Sequence, residues 1–275
     1  MFKIGIDQFI QEDLGSFDPS SSIFDEGILC TGFITCEEDA VVAGLEEAME
    51  AFSQMGMECN PLCDDGDYVS KGSQVMRVTG PVHAVLKVER VALNLLMRMS
   101  GIATATGRYC DIAHAINPDV SIAGTRKTTP GFRFYEKKAI SLGGGWPHRN
   151  GLYDMVMIKD NHIAAAGGLE RALKLLGTPG IPIEVEVETI KDGIIAARHG
   201  VDVIMADHMS PEAVKELSEI VHGIDDEVLI EVSGNMDESK VRDYAEFADI
   251  ISIGALTHSV KAIHFSLDIE VDDCL

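Results

Sequence analysis

The sequence predicts an α/β protein whose C-terminal half is built on a parallel sheet with helices outside it. Three observations carry that prediction. Beyond about residue 115, short apolar runs alternate with segments of helical spacing. The runs are continuous rather than alternating, as strands covered on both faces are. Chemistry-bearing residues recur where the runs end, the edge at which parallel barrels and open doubly wound sheets both place their sites. Periodicity alone does not choose between those two forms.

Along the chain, residues 1 to about 20 read as a short helix closing on Gln11-Glu12-Asp13-Leu14-Gly15, followed by Ser16-Phe17-Asp18-Pro19-Ser20. Residues 28–35 alternate as a half-buried strand does, and 44–55 have helical spacing through Leu45, Ala48, Met49 and Phe52. Asp64-Asp65-Gly66-Asp67 is a turn, Val69 enters a strand, Lys71-Gly72 turns again, and Val75 to Val78 makes a second strand. Lipoyl- and biotinyl-carrier modules share this hairpin pattern. Their modified lysine sits at the tip in a Met-Lys-type motif, whereas Lys71 stands in Val-Ser-Lys-Gly and reads as structural. Residues 89–114 make one or two helices, with Leu93, Leu96, Met97 and Ile102 on an apolar face and Ser100-Gly101 at a bend or close contact. The later strands fall at 121–123, 155–158, 183–187, 203–205, 229–232 and 250–253. The helices between them fall at 133–142, 169–176, 191–199, 211–221 and 237–247.

Composition narrows the function. A net charge of −23 and 46% hydrophobic residues describe an acidic protein with ample core, which argues against nucleic acid or anionic membrane as a partner. No apolar run approaches the ~18 residues of a membrane span, and the acidic start resembles no targeting segment; the expected location is cytoplasmic. Cys30, Cys36, Cys59, Cys63, Cys110 and Cys274 include no CxxC pair and read as reduced thiols.

Against this acidity stands one cationic stretch, GTRKTTPGFRFYEKKAISLGGGWPHRNGLYDMVMIKDNHI, residues 124–163. From residue 126 to 159, Arg126, Lys127, Arg133, Lys137, Lys138, Arg149 and Lys159 are opposed by Glu136 and Asp154 alone. A local basic island in an acidic chain suits a small anionic ligand, with arginine for carboxylates and lysine for phosphates. Lys137 and Lys138, following Glu136, fit an ordinary solvated helix.

With its Thr-Arg-Lys-Thr, Pro-Gly, triple-glycine, His-Arg and Ile-Lys-Asp-Asn-His elements in order, this stretch resembles the quinolinate phosphoribosyltransferases. The likeness extends to Glu89-Arg90, to Ser-Gly-Ile-Ala-Thr from residue 100, and over nearly the whole chain. The resemblance implies an incomplete parallel α/β barrel with an N-terminal α/β sandwich domain. The sandwich would take residues 1–104 and the returning tail 260–275, and the barrel 105–259. It implies transfer of phosphoribosyl from phosphoribosyl pyrophosphate to quinolinate with decarboxylation, giving nicotinate mononucleotide, pyrophosphate and CO2.

Site roles follow from the same resemblance. Arg126, His148, Arg149 and Lys159 meet quinolinate, joined by Arg90 from the other protomer of a homodimer. Lys127 serves the phosphoribosyl side. Glu186 and Asp207, at successive strand ends, face the ribose and hold Mg²⁺ largely through the phosphoribosyl pyrophosphate. Glu184 and Glu188 point the same way as Glu186 by alternation, and Glu186 is preferred on the family's Glu-Val-Glu run. Ser233-Gly234-Asn235 and Gly254-Ala255-Leu256-Thr257-His258 are strand-end loops whose N–H groups suit the 5′-phosphate.

Some residues depart from the family pattern: Pro147 in Trp-Pro-His-Arg, His208 in Ala-Asp-His, and Asn235 where glycine is usual. The Pro-His-Arg form resembles a molybdenum-transport-associated paralogue acting on another acid. The retained Lys159-Asp160-Asn161-His162 favours quinolinate. A non-catalytic sensor of a dicarboxylate is a further alternative, against which both acids and the phosphate loops count.

Overall fold

The computed structural model describes residues 1–16, 18–25 and 27–271. Phe17 in the Ser16–Ser20 segment, Cys274 and the end of the tail, residues 272–275, lie outside the described residues. The chain divides into two compact units: one holds residues 2–107, 129–144 and the tail from 260, and the other holds 108–128 and 145–259.

The first unit opens with α1 (Ile6–Leu14), β1 (Leu29–Cys36), β2 (Ala40–Val41), α2 (Leu45–Gln54), β3 (Glu58–Pro61), β4 (Tyr68–Val69) and β5 (Gln74–Pro81). Strand β1 buries alternate residues, with Cys30, Ile34 and Cys36 inward, as a one-sided sheet requires. Its sheet has the order β12-β1-β5-β3 and is antiparallel throughout. The last partner, β12 (Phe265–Val271), is supplied by the returning tail. The expected hairpin around Lys71 is not formed. Strand β4 pairs with β2, while β5 is taken on both sides by β1 and β3. The turn at Lys71 survives, its N–H donating to Asp39 Oδ1 at 2.8 Å.

Helix α3 (Val82–His114) is one continuous helix, and its residues from Arg108 are counted with the second unit. Ser100-Gly101 marks a close contact within it. Ser100 Oγ bonds both the N–H and the carbonyl of Ala43, and a Cβ on residue 101 would lie 2.4 Å from the Lys261 carbonyl oxygen. Helix α4 (Arg133–Leu142) is not the solvated helix its charges suggest. Tyr135, Glu136 and Lys137 are all buried. Glu136 takes Arg98 at 2.7 Å and the Thr129 N–H and hydroxyl, and Lys138 lies among Glu46, Glu47 and Asp65. These pairs, and Tyr135 packed against Phe9 and Phe132, tie residues 129–144 to the first unit rather than to the domain expected from residue 105.

The second unit alternates strands and helices: β6 (Ser121–Ala123), β7 (Val156–Ile158), α5 (Asp160–Ala166), α6 (Leu169–Leu176), β8 (Ile183–Val187), α7 (Ile190–Arg198), β9 (Val203–Asp207), α8 (Pro211–His222), β10 (Leu229–Ser233), α9 (Glu238–Tyr244), β11 (Ile250–Ser252) and α10 (Ala255–His258). Its six strands are parallel in the order β6-β11-β10-β9-β8-β7. The chain leaves β6, crosses to β7 and walks back strand by strand, so β6 and β7 are edges that do not pair with each other, an incomplete barrel. Helix starts are set locally: Thr189, Ser210 and Asp237 accept first-turn N–H groups, and Pro211 sits in the first turn of α8. Among the described residues no helix is long and apolar enough to cross a membrane, and the described cysteines are free thiols.

Candidate active site

The carboxyl edge of the parallel sheet surrounds a cavity of about 390 Å³. Strand register explains which side chains reach it. Glu186 on β8, Met205 on β9 and Glu231 on β10 stand side by side in one row, and Asp207 and Ser233 stand in the next row toward the edge. Two residues back along β8, Glu184 shares the face of Glu186 but is fully buried, whereas Glu188 is exposed. Of the three glutamates, Glu186 is the one that lines the cavity.

The cationic wall comes from three places. Arg126 and Lys127 follow β6, and Lys159 follows β7. Arg149 comes from a segment that joins the sheet edge where Trp146 bridges Ala123 in parallel. Arg133, Lys137 and Lys138 belong to α4, and the cavity's lining does not include them. Arg126 and Arg149 each bury an Nε without an acceptor. Arg149 otherwise reaches the Met155 carbonyl at 3.5 Å and Met157 Sδ at 2.9 Å. Burial, then the charge of Arg126, lowers the proton affinity of Arg149, with Glu184 and Glu231 acting the other way. Lys159 pairs with Glu186 and begins α5, where its N–H donates to His162 Nδ1 at 3.1 Å.

His148 lines the cavity and is also braced from within the protein. It is buried, with Nε2 3.0 Å from Glu231 Oε2 and 3.4 Å from Glu184 Oε2. Nδ1 accepts the Arg149 N–H at 2.7 Å, so both ring nitrogens are engaged within the protein. Ser252 Oγ donates to the other Glu231 oxygen. Both Glu184 oxygens lack a hydrogen-bond partner, and burial, then the charge of Glu231, pushes its carboxyl up to about 9. This trio brings its donor atoms within 4.8 Å of one another. Within it His148 bonds Glu231, while burial disfavours a charge on Glu184.

The phosphate loops divide. Ser233, Gly234 and Asn235 line the cavity with His208. Gly234 is at φ 115°, and a Cβ there would lie 2.8 Å from His208 Nδ1, so glycine is required on both counts. Gly254, Ala255, Leu256, Thr257 and His258 do not line the cavity. Leu256 and Thr257 are buried, and Thr257 Oγ1 donates to the Lys127 carbonyl at 2.8 Å, which ties this segment to the Arg126–Lys127 loop. Arg90, on α3, is exposed and belongs to the other unit. The non-glycine residues with positive φ among those described, His148, His208 and Asn235, all line the cavity; such conformations gather at functional sites.

The sequence reading missed Glu231, Ser252 and His208 as site residues. For Glu231 a signal existed, one charge inside the apolar run Leu-Ile-Glu-Val.

Two family models match the chain: Quinolinate phosphoribosyl transferase, N-terminal domain, over residues 20–100, and its C-terminal domain over residues 102–268. A probable nicotinate-nucleotide pyrophosphorylase (carboxylating) of Archaeoglobus fulgidus is 44% identical over 237 residues, covering 85% of this chain and 92% of its own. One of Bacillus subtilis is 38% identical over 275 residues, covering 98% and 93%. The crystal structure of NadC from Streptococcus pyogenes superposes with a TM-score of 0.91 at 34% identity, covering 98% of this chain and 96% of that one.

Proposed function

The chain belongs to the quinolinate phosphoribosyltransferase family, and from that premise we propose how its cavity divides the work. The enzyme transfers the phosphoribosyl group of phosphoribosyl pyrophosphate to quinolinate with decarboxylation, a step of NAD biosynthesis. No similarity found favours the molybdenum-associated paralogue or a non-catalytic sensor.

One observation carries the assignment of the acceptor site. Two guanidiniums at the cavity each bury an Nε with no acceptor, and quinolinate brings two carboxylates on adjacent ring carbons. Arg126 and Arg149 take those carboxylates through charge-assisted hydrogen bonds, with Lys159 beside them. Lys127 faces the pyrophosphate, and the loop of Ser233, Gly234 and Asn235 takes the 5′-phosphate through its N–H groups. As pyrophosphate leaves, positive charge grows on the ribosyl carbon, where the carboxylates of Glu186 and Asp207 stabilise it while the pyridine nitrogen attacks. The ribosylated ring nitrogen is then cationic. The carbon–carbon bond to the neighbouring carboxylate breaks, CO2 departs, the electron pair stays on the ring carbon beside that cation, and the carbon takes up a proton.

Mg²⁺ fits the donors present. Glu186 and Asp207 supply hard oxygens at the cavity, with side chains 14% and 24% exposed, and Mg²⁺ leaves most of its positions to water and substrate phosphate. Bound there, it would offset charge on the pyrophosphate. Arg90 completes the site of the other protomer in a homodimer, and the free thiols suit a reducing cytoplasm.

Product analysis tests the reading. With quinolinate, phosphoribosyl pyrophosphate and Mg²⁺, nicotinate mononucleotide and CO2 should form in equal amounts, and nicotinate should not replace quinolinate. Absence of product, or equal use of nicotinate, would sink the assignment.

A further inference from the structure

Three buried polar residues of the cavity lining, His148, Glu231 and Ser252, bond to one another. Glu231 stands in the middle of β10, wholly buried, and both its oxygens are engaged: Ser252 Oγ donates to one, and His148 Nε2 lies 3.0 Å from the other. Because His148 Nδ1 accepts the Arg149 N–H at 2.7 Å, Nδ1 is the bare nitrogen and Nε2 carries the proton toward Glu231. The imidazole is also stacked on Trp146, ring centres 4.4 Å apart. His148 holds φ 56°, a left-handed conformation that a non-glycine residue keeps only where its surroundings enforce it. The residue delivered by that turn is Arg149, whose buried Nε has no acceptor.

We propose that Glu231, held by Ser252, is a positioning residue for quinolinate: it clamps the imidazole of His148, and the clamped imidazole fixes the left-handed turn that aims Arg149 at a substrate carboxylate. The inference rests on the quinolinate reading of the same cavity. Glu184 Oε2, on β8, lies 3.4 Å from the same Nε2. A carboxylate suits this place better than an amide, because it accepts on both oxygens and cannot turn an N–H against the imidazole N–H.

Steady-state kinetics with each substrate varied, beside thermal melts, tests the clamp in wild type, Glu231→Gln, Ser252→Ala, Arg149→Ala and the double variant Glu231→Gln with Arg149→Ala. In metal sites, loss of a partner that orients a ligand costs about 10- to 100-fold, and the same order is expected for one that orients an arginine. Glu231→Gln should therefore raise KM for quinolinate about tenfold or more, leave KM for phosphoribosyl pyrophosphate within about twofold, and melt as a folded protein. Ser252→Ala should move the same parameter in the same direction by less. In the Arg149→Ala background, Glu231→Gln should add little, since two residues acting through one group are not additive. A quinolinate KM unchanged in folded Glu231→Gln, equal losses for both substrates, or full additivity with Arg149→Ala would overturn the positioning role while wild-type turnover upholds the reading beneath it. Should Glu231→Gln not fold, Ser252→Ala carries the same comparison. A wild-type protein that does not use quinolinate would overturn both.

Discussion

Among single residues, Glu184 makes the sharpest prediction. Its carboxyl is pushed up to about 9 from an ordinary 4.5, by burial and then by Glu231. The folded chain therefore keeps a proton that the unfolded chain releases. This contribution to stability is fullest below the unfolded value and is lost as pH rises through the folded one. Between pH 5.5 and 8.5 the wild-type Tm should fall more steeply than that of Glu184→Gln, which has no proton to lose, by about 2–4 °C for each kcal/mol involved. Parallel slopes in melts across that range would contradict it. Arg126, Lys127, Arg149, Lys159, Glu186 and Asp207 were legible in the sequence because motifs and strand ends name them. Ser252 was not, because it lies inside a buried strand and only the pairing register turns it toward the cavity, and Glu231 showed only as one charge in an apolar run. His148 was legible as a cavity residue, while the brace behind it was not, since spacing does not show the bonds its two nitrogens make.

Most of the elements were legible as such, the helices Arg133–Leu142 and Leu169–Leu176 and the strand Ile183–Val187 among them, because apolar period and flanking turns agree there. The misreadings share a cause: partners distant in sequence. Strand β4 pairs with β2 instead of its neighbour β5, and α4 buries Glu136 because Arg98 meets it from 38 residues away. At the Gly101 contact two effects of known size compete. Alanine is favoured over glycine in a helix by about 1 kcal/mol. A Cβ 2.4 Å from the Lys261 carbonyl oxygen forces a backbone shift, and overpacking of that kind costs about 1–3 kcal/mol. Gly101→Ala should therefore lower stability in denaturant unfolding. A rise by the propensity value would show that the tail yields without cost.

Across the whole molecule, the acidity of the chain, with net charge −23, isolates one cationic wall. A small dianion is the ligand that such a wall selects. The barrel strands were readable from periodicity, whereas the placing of residues 129–144 with the first unit rests on contacts that no local pattern announces. If Arg90 serves the other protomer's site, equal mixtures of Arg90→Ala and Lys159→Ala chains should regain about a quarter of wild-type activity, as half the dimers are mixed and each holds one intact site. No recovery in verified mixed dimers would count against sharing. The quinolinate site we propose is the pair of guanidiniums of Arg126 and Arg149, and calorimetric titration of quinolinate into wild type, Arg126→Ala and Arg149→Ala tests it. Each folded variant should bind at least about 30-fold more weakly, since a charged hydrogen bond is worth ~2 kcal/mol; wild-type affinity in either would contradict the claim.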